Sequence, residues 1–205
     1  TSCFSCHIRC SKWARWDGHE IEGPEFETTA FLGTNSMVNN IKDVAWANEL
    51  CNDWGIDTIS AGVICGFAME CYEKGMVDSW DGLTLDWGNA DQQRNFLEMM
   101  VNREGVGDIF ADGTRDAAEK IGKGSEKFAI NTYGMELSGV NPKGSLTMGL
   151  VFAVADFASH TRLWMTEIEM GPDFRIEDIP GSVVEGLDTT NIRNSLIMCD
   201  FVPHG

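Results

Sequence analysis

The chain has 205 residues, of which 43% are hydrophobic and 23% charged, a balance that sustains a hydrophobic core and argues against disorder. A formal charge of −17 removes the basic face that nucleic acid requires and opposes anionic lipid, and the longest apolar run, Met148 to Ala155, is far short of the roughly 18 residues a membrane span needs. Seven cysteines, an odd number in a long chain with no visible secretory signal, point to a reducing, cytoplasmic setting rather than a disulfide framework.

In chain order the first signal is Cys3, Cys6 and Cys10, a Cys-x2-Cys-x3-Cys run. Thiols this close must converge on something, and a fourth candidate stands far away at Cys199. Three clustered ligands and one remote partner favour a [4Fe-4S] cluster. Zinc sites more often pair their ligands two and two, so zinc is the second reading, and unrelated thiols the third. His7 inside the run would improve a zinc site, but loop polarity also accounts for it.

The rest reads as mainly α. After a loop rich in Gly, Glu and Trp from Arg15 to Gly23, Asp43 is expected to cap a helix in which Val44, Ala47, Leu50 and Trp54 recur at helical spacing, ended by Gly55. Ser60 is expected to open the next, with Ile64, Phe67 and Cys71 on one face and Lys74-Gly75 as its stop. Asn89 to Glu104 and Asp108 to Ile121 repeat that grammar, and Asn141-Pro142-Lys143-Gly144 reads as a turn. Leu146 to Ala158 is apolar nearly all round and reads as a buried helix, although periodicity leaves a strand open. Pro172 and Pro180 punctuate a polar connection before a last helix from about Asp188 that delivers Cys199. Two subdomains are expected, about 1–135 and 136–205.

In order and spacing, Cys3-Phe4-Ser5-Cys6-x3-Cys10, Glu22-Gly23-Pro24-Glu25-Phe26-Glu27, Cys51-Asn52-Asp53-Trp54-Gly55-Ile56-Asp57-Thr58, Ala68-Met69-Glu70-x-Tyr72-Glu73-Lys74-Gly75, Trp87-Gly88-Asn89, Arg103-Glu104-Gly105 and Asn194-Ser195-Leu196-Ile197-Met198-Cys199 resemble the tungsten-containing aldehyde ferredoxin oxidoreductases. The resemblance covers nearly the whole chain and implies the helical second and third domains of that family, which carry an iron-sulfur cluster and part of a tungsten (or molybdenum) bis-pterin. No segment resembles the family's β-rich first domain, so the expectation is a fragment, or one subunit of a split enzyme whose other chain supplies that pterin domain.

Carried over residue by residue, the resemblance makes Cys3, Cys6, Cys10 and Cys199 the cluster ligands. It makes Asn52 to Asp57 and Asn194 to Cys199 two copies of a pterin signature, Asp-x-x-Gly-Leu-Asp/Cys, with Asn52, Gly55, Asp57, Thr58 and Asn194 as the contacts. Both copies begin with Asn, which keeps an acceptor oxygen but loses the charge-assisted bond, and Ile197 stands where Gly is usual. Glu27 and His160 match the ionisable pair of the tungsten pocket, although Ala155-Asp156-Phe157-Ala158-Ser159 lacks the Arg-Gly pair usual before that histidine. Trp46 and Glu49 stand where some members carry a Glu-x2-His pair for a metal at a dimer interface, and indole N–H only donates, so that metal is not expected. Cys51, Cys65 and Cys71 read first as small buried hydrophobes; a Cys65 thiolate reaching tungsten would suit a reductive relative.

Three classes of function follow from the resemblance. The leading one oxidises an aldehyde to a carboxylic acid and passes electrons through the cluster to ferredoxin or another electron-transfer protein. The second uses the same cofactor reductively on a thioester, like the dearomatising benzoyl-CoA reductase subunit. The third is a non-catalytic iron-sulfur fragment.

Overall fold

A computed structural model describes residues 2–16, 18–157, 159–199 and 201. The described residues are mainly α-helical, with two small antiparallel ladders. The chain divides into two compact units, Thr1–Gly139 and Val140–Gly205.

In the first unit the Cys-rich segment has no regular structure and leads into a hairpin, β1 (Trp13–Trp16) paired with β2 (His19–Glu22). The sequence reads this stretch as a loop, because four-residue strands that expose Trp13 and, among the described side chains, bury only Ile21 show no usable alternation. Helix α1 (Phe26–Thr28) runs directly into a π-helical turn, Thr29–Gly33. Such a turn misaligns backbone groups, and two side chains collect the carbonyls: Gln93 Nε2 donates to Leu32 O at 3.1 Å and Ser36 Oγ to Phe31 O at 3.1 Å.

Helix α2 (Ile41–Trp54) is capped by Asn40, whose Oδ1 accepts the Lys42 N–H at 3.1 Å, so Asp43 belongs to the first turn rather than the cap. Helix α3 (Thr58–Glu73) begins two residues before Ser60, because Asp57 is its cap and Asp57 Oδ2 accepts the Ser60 N–H at 2.8 Å. It is the central element: Ile64, Cys65, Phe67, Met69 and Cys71 are all buried. Gly62 and Gly66 let it press on the π turn and the residues after it, since a Cβ at Gly62 would lie 2.5 Å from the Phe31 backbone and one at Gly66 would lie 2.3 Å from Asn35 Nδ2.

Helix α4 (Ala90–Asn102) is capped by Asn89. The stretch expected as one helix from Asp108 to Ile121 is two, α5 (Gly107–Phe110) and α6 (Thr114–Ile121), because Gly113 takes φ +96° between them. Phe110 meets Phe67 and Phe96 edge-on, at 5.9 and 5.3 Å between ring centroids, and these rings centre the core. A short ladder, β3 (Asn131–Thr132) with β4 (Met135–Glu136), closes the unit.

In the second unit the turn at Asn141 forms as expected, with Gly144 N–H donating to Asn141 O at 2.8 Å. Helix α7 (Leu146–Val154) stops before Ala158, which lies outside the described residues; Ala155 is already extended. Helix α8 (Ile179–Ser195) begins about nine residues before Asp188, with Pro180 inside its first turn. A proline there starts a helix rather than interrupting one. Among the described residues no helix is long and apolar enough to cross a membrane.

Candidate functional site

The two signature segments share one local structure. At the end of α2, Gly55 N–H donates to Asn52 O at 3.2 Å and Ile56 N–H to Cys51 O at 2.8 Å, with Gly55 at φ +69°. At the end of α8, Ile197 N–H donates to Asn194 O at 3.1 Å and Met198 N–H to Arg193 O at 3.0 Å, with Ile197 at φ +57°. Both are left-handed helix endings, so the glycine of the first copy is accounted for by its backbone angle. A Cβ at Gly55 would meet nothing within 4 Å, and the reason for glycine is φ rather than crowding.

Asn52, Gly55 and Asp57 are exposed around that ending, as is Asn194 in its own unit. Beside the first copy opens a cavity of about 480 Å³ lined by Trp54, Ile56, Ser60, Ile64, Met100 and Glu136, among others. An aromatic and aliphatic wall next to exposed amide and carboxylate groups fits a flat, hydrogen-bonding heterocycle. Of the lining residues, the buried Glu136 carboxylate is engaged, its Oε1 accepting Thr114 N–H at 2.8 Å and the Thr114 hydroxyl at 3.1 Å.

The cysteines fall into two groups. Cys3, Cys10 and Cys199 are exposed and Cys6 is half-buried, whereas Cys51, Cys65 and Cys71 are buried. Burial, aided by the Asp57 charge, pushes the Cys51 thiol up to about 11; burial with Glu70 beside it pushes Cys71 up to about 12; burial raises Cys65 as well. These three are packed thiols, in line with their first reading as small buried hydrophobes, and Cys65, at 1% exposure, is a core side chain rather than the alternative thiolate. Only the accessible group has the chemistry of a thiolate donor set. The first three lie on one irregular loop, tightened by Cys6 N–H to Cys3 O at 3.1 Å, and Arg193 Nη2 donates to Cys199 O at 3.4 Å at the end of α8. Among the described residues no three His, Cys, Asp or Glu side chains are gathered as a metal site, so Cys3, Cys6 and Cys10 share a loop without converging on one point.

Glu27 is buried at 9% exposure on α1, and its Oε2 accepts the Gly139 N–H at 2.7 Å. Its neighbour Thr28 shares a hydrogen bond with Thr58, hydroxyl to hydroxyl at 2.8 Å, and Thr58 directly follows Asp57. The fold therefore brings the Glu27 segment to the first signature copy. In the second unit His160 lies in the turn after α7 with its ring edge-on to Trp164, 5.9 Å between centroids. That turn is fixed by the Ser159 and Thr161 hydroxyls at 2.8 Å and by an Arg162–Asp156 ion pair at 2.6 Å, with Arg162 over the Phe157 ring. Trp46 meets the His19 ring at 4.6 Å.

Sequence reading missed Thr28, Gly139 and Trp164. Thr28 sits one residue from a candidate acid and was within reach of inspection, but a hydroxyl pair spanning 30 residues leaves no local trace.

A family model described as aldehyde ferredoxin oxidoreductase, domains 2 and 3, matches residues 1–205. The chain is similar to the tungsten-containing aldehyde ferredoxin oxidoreductase of Pyrococcus furiosus, 30% identical over 215 residues that cover 99% of this chain and 35% of that protein. It is 26% identical over 211 residues to the WOR-like subunit of an aliphatic sulfonate oxidoreductase of the same organism, covering 97% of this chain and 32% of that one. Among solved structures it resembles the active site complex BamBC of benzoyl coenzyme A reductase with 1,5-dienoyl-CoA, with a TM-score of 0.65 and 26% identity over 79% of this chain and 25% of that chain. The chain spans about a third of the length of these curated relatives. It belongs to the aldehyde ferredoxin oxidoreductase family, in the region of that family's domains 2 and 3.

Proposed function

We propose that the holoenzyme containing this chain oxidises an aldehyde to a carboxylic acid and delivers the electrons to ferredoxin or another electron-transfer protein in the cytoplasm. The observation that carries this reading is the Thr28–Thr58 hydroxyl pair at 2.8 Å, which sets a buried carboxylate, Glu27, beside the exposed signature at Asn52 to Asp57. When bound, a tungsten (or molybdenum) bis-pterin supplies the two-electron redox step and a [4Fe-4S] cluster the one-electron relay.

Cys3, Cys6, Cys10 and Cys199 would hold the cluster as thiolates. Asn52, Asp57, Thr58 and Asn194 would accept hydrogen bonds from a pterin edge, and the turn at Gly55 would present the first three. Oxidation of R-CHO with water to R-COOH releases two electrons and two protons, and the protons need acceptors near the carbon. The Glu27 carboxylate would take one, held against Gly139 N–H through Oε2, and a ring nitrogen of His160 the other. The β-rich pterin domain of the family, on the same or a partner chain, would complete the cofactor's surroundings.

A second reading is favoured by the likeness to the BamBC complex: the same site working reductively on a coenzyme A thioester. Metal and pterin analysis of the anaerobic holoenzyme, followed by viologen-coupled assays with aldehydes and with a dienoyl-CoA, separates the readings. Iron with tungsten and pterin, and aldehyde-dependent viologen reduction, are the expected results. Turnover of the thioester alone would favour the second reading. Iron without tungsten or pterin would leave a non-catalytic iron-sulfur fragment, and zinc alone would defeat both mechanisms.

A further inference from the structure

The hydrogen bond from Gly139 to Glu27 joins residues 112 positions apart, and it is anchored at both ends. On the Glu27 side, the next residue, Thr28, is tied to Thr58, and α1 continues into the π turn that is seated on α3 at Gly62. On the Gly139 side, β4 is fixed three residues earlier by Glu136, whose carboxylate takes both hydrogen bonds from Thr114. Two anchored segments thus meet at one carboxylate.

The space around Gly139 is equally specific. A Cβ there would lie 3.0 Å from Glu27 Oε2, 3.4 Å from Oε1 and 3.5 Å from Cδ, so its three nearest neighbours are all atoms of that one carboxylate. The φ of Gly139 lies outside the left-handed region, so an alanine suits the backbone there. A side chain at 139 would therefore press first on the Glu27 carboxylate.

We propose that Gly139 is a positioning residue for Glu27: its N–H fixes one carboxylate oxygen, and its missing side chain leaves room for the carboxylate to sit against that N–H. This rests on the acid–base role proposed for Glu27 above. A carboxylate that moves protons must hold its distance to the reacting carbon, and displacement by a fraction of an ångström lowers kcat more than it alters substrate affinity.

The test is a double-mutant cycle in the complete, tungsten-loaded holoenzyme, with Gly139→Ala, Glu27→Ala and the pair. Gly139→Ala should lower kcat on the order of 10-fold, with KM changed less than about twofold and tungsten and pterin content unchanged. In the Glu27→Ala background, adding Gly139→Ala should change neither kcat nor the thermal midpoint, although in the wild type it lowers both. A shorter carboxylate, Glu27→Asp, should restore part of the thermal midpoint lost in Gly139→Ala by relieving the contact. If Glu27→Ala is slow while Gly139→Ala keeps the wild-type kcat, the positioning role is overturned and the acid–base reading survives. If Glu27→Ala itself keeps the full rate at full metal loading, the acid–base reading falls and this proposal with it.

Discussion

Gly55 and Ile197 hold the same place in two copies of one helix ending: each sits in the left-handed region, at φ +69° and +57°, and each donates its N–H to the asparagine three residues earlier. Glycine adopts that angle without strain. A β-branched residue does not, because its Cβ crowds the carbonyl, at a cost of about 1–2 kcal/mol. The sequence departure at Ile197 thus has a definite physical effect, which is backbone strain at an exposed position (93% exposure).

Ile197→Gly should therefore stabilise the second unit by about 1 kcal/mol, seen as a higher midpoint in denaturant or thermal melts. Gly55→Ala should do the reverse in the first unit by a similar amount. An Ile197→Gly protein that melts at or below the wild-type midpoint would show that the strain is relieved in some other way.

Features written in a few adjacent residues were legible in the sequence. The cysteine run, the turn at Asn141 and the Asn89 cap needed no tertiary information. Caps were misplaced at Asp43 and Ser60 because α2 and α3 each offer several polar residues within one turn, and only the backbone path selects Asn40 and Asp57. Pro180 misled for a related reason: the same residue ends one helix or starts another, depending on where the preceding chain turns. Glu27 could be picked out as a candidate, but not the groups that fix it. Gly139 lies 112 residues away and Thr58 packs on Thr28 across two helices, and neither spacing follows any period.

The separation of exposed from buried cysteines predicts a labelling pattern. At neutral pH, cluster-free but folded protein should expose four reactive thiols, Cys3, Cys6, Cys10 and Cys199, while Cys51, Cys65 and Cys71 remain unlabelled until denaturation. In the anaerobic holoprotein, about four irons should bind, and Cys199→Ser should strip or convert the cluster although it is remote in sequence. A normal cluster retained in that variant, measured by iron content and electron paramagnetic resonance, would remove Cys199 from the ligand set.

Glu169 sets an acid limit on the second unit. Burial acts to raise its pKa, but the Ser145 hydroxyl at 2.6 Å and the N–H groups of Thr147 and Leu146 at 2.6 and 3.2 Å outweigh that, and the carboxyl is held down at about 2. A carboxyl with a folded pKa below its ordinary value of 4.5 stabilises the fold above that value and loses the contribution as the pH falls towards 2. Stability of the second unit should therefore decline between about pH 4.5 and 2. Glu169→Gln should be less stable at pH 7 and should show a shallower decline over that window in pH-dependent melts. An unchanged slope would assign the acid sensitivity to other groups.

Asp57 does two things that substitutions can separate. Its Oδ2 caps α3 at Ser60, a contribution of about 1 kcal/mol, and its exposed carboxylate stands beside the cavity where the pterin is proposed to sit. Asp57→Ala removes both and should lower tungsten and pterin content while leaving iron largely in place, since the cluster thiolates do not depend on that carboxylate. Asp57→Ser keeps a capping oxygen but removes the charge. If the carboxylate contacts the cofactor, Asp57→Ser should match wild type in thermal midpoint and Asp57→Ala in cofactor loss. If the residue is only a helix cap, Asp57→Ser should regain full tungsten and pterin occupancy, and the cofactor contact would have to be moved to Asn52 and Thr58.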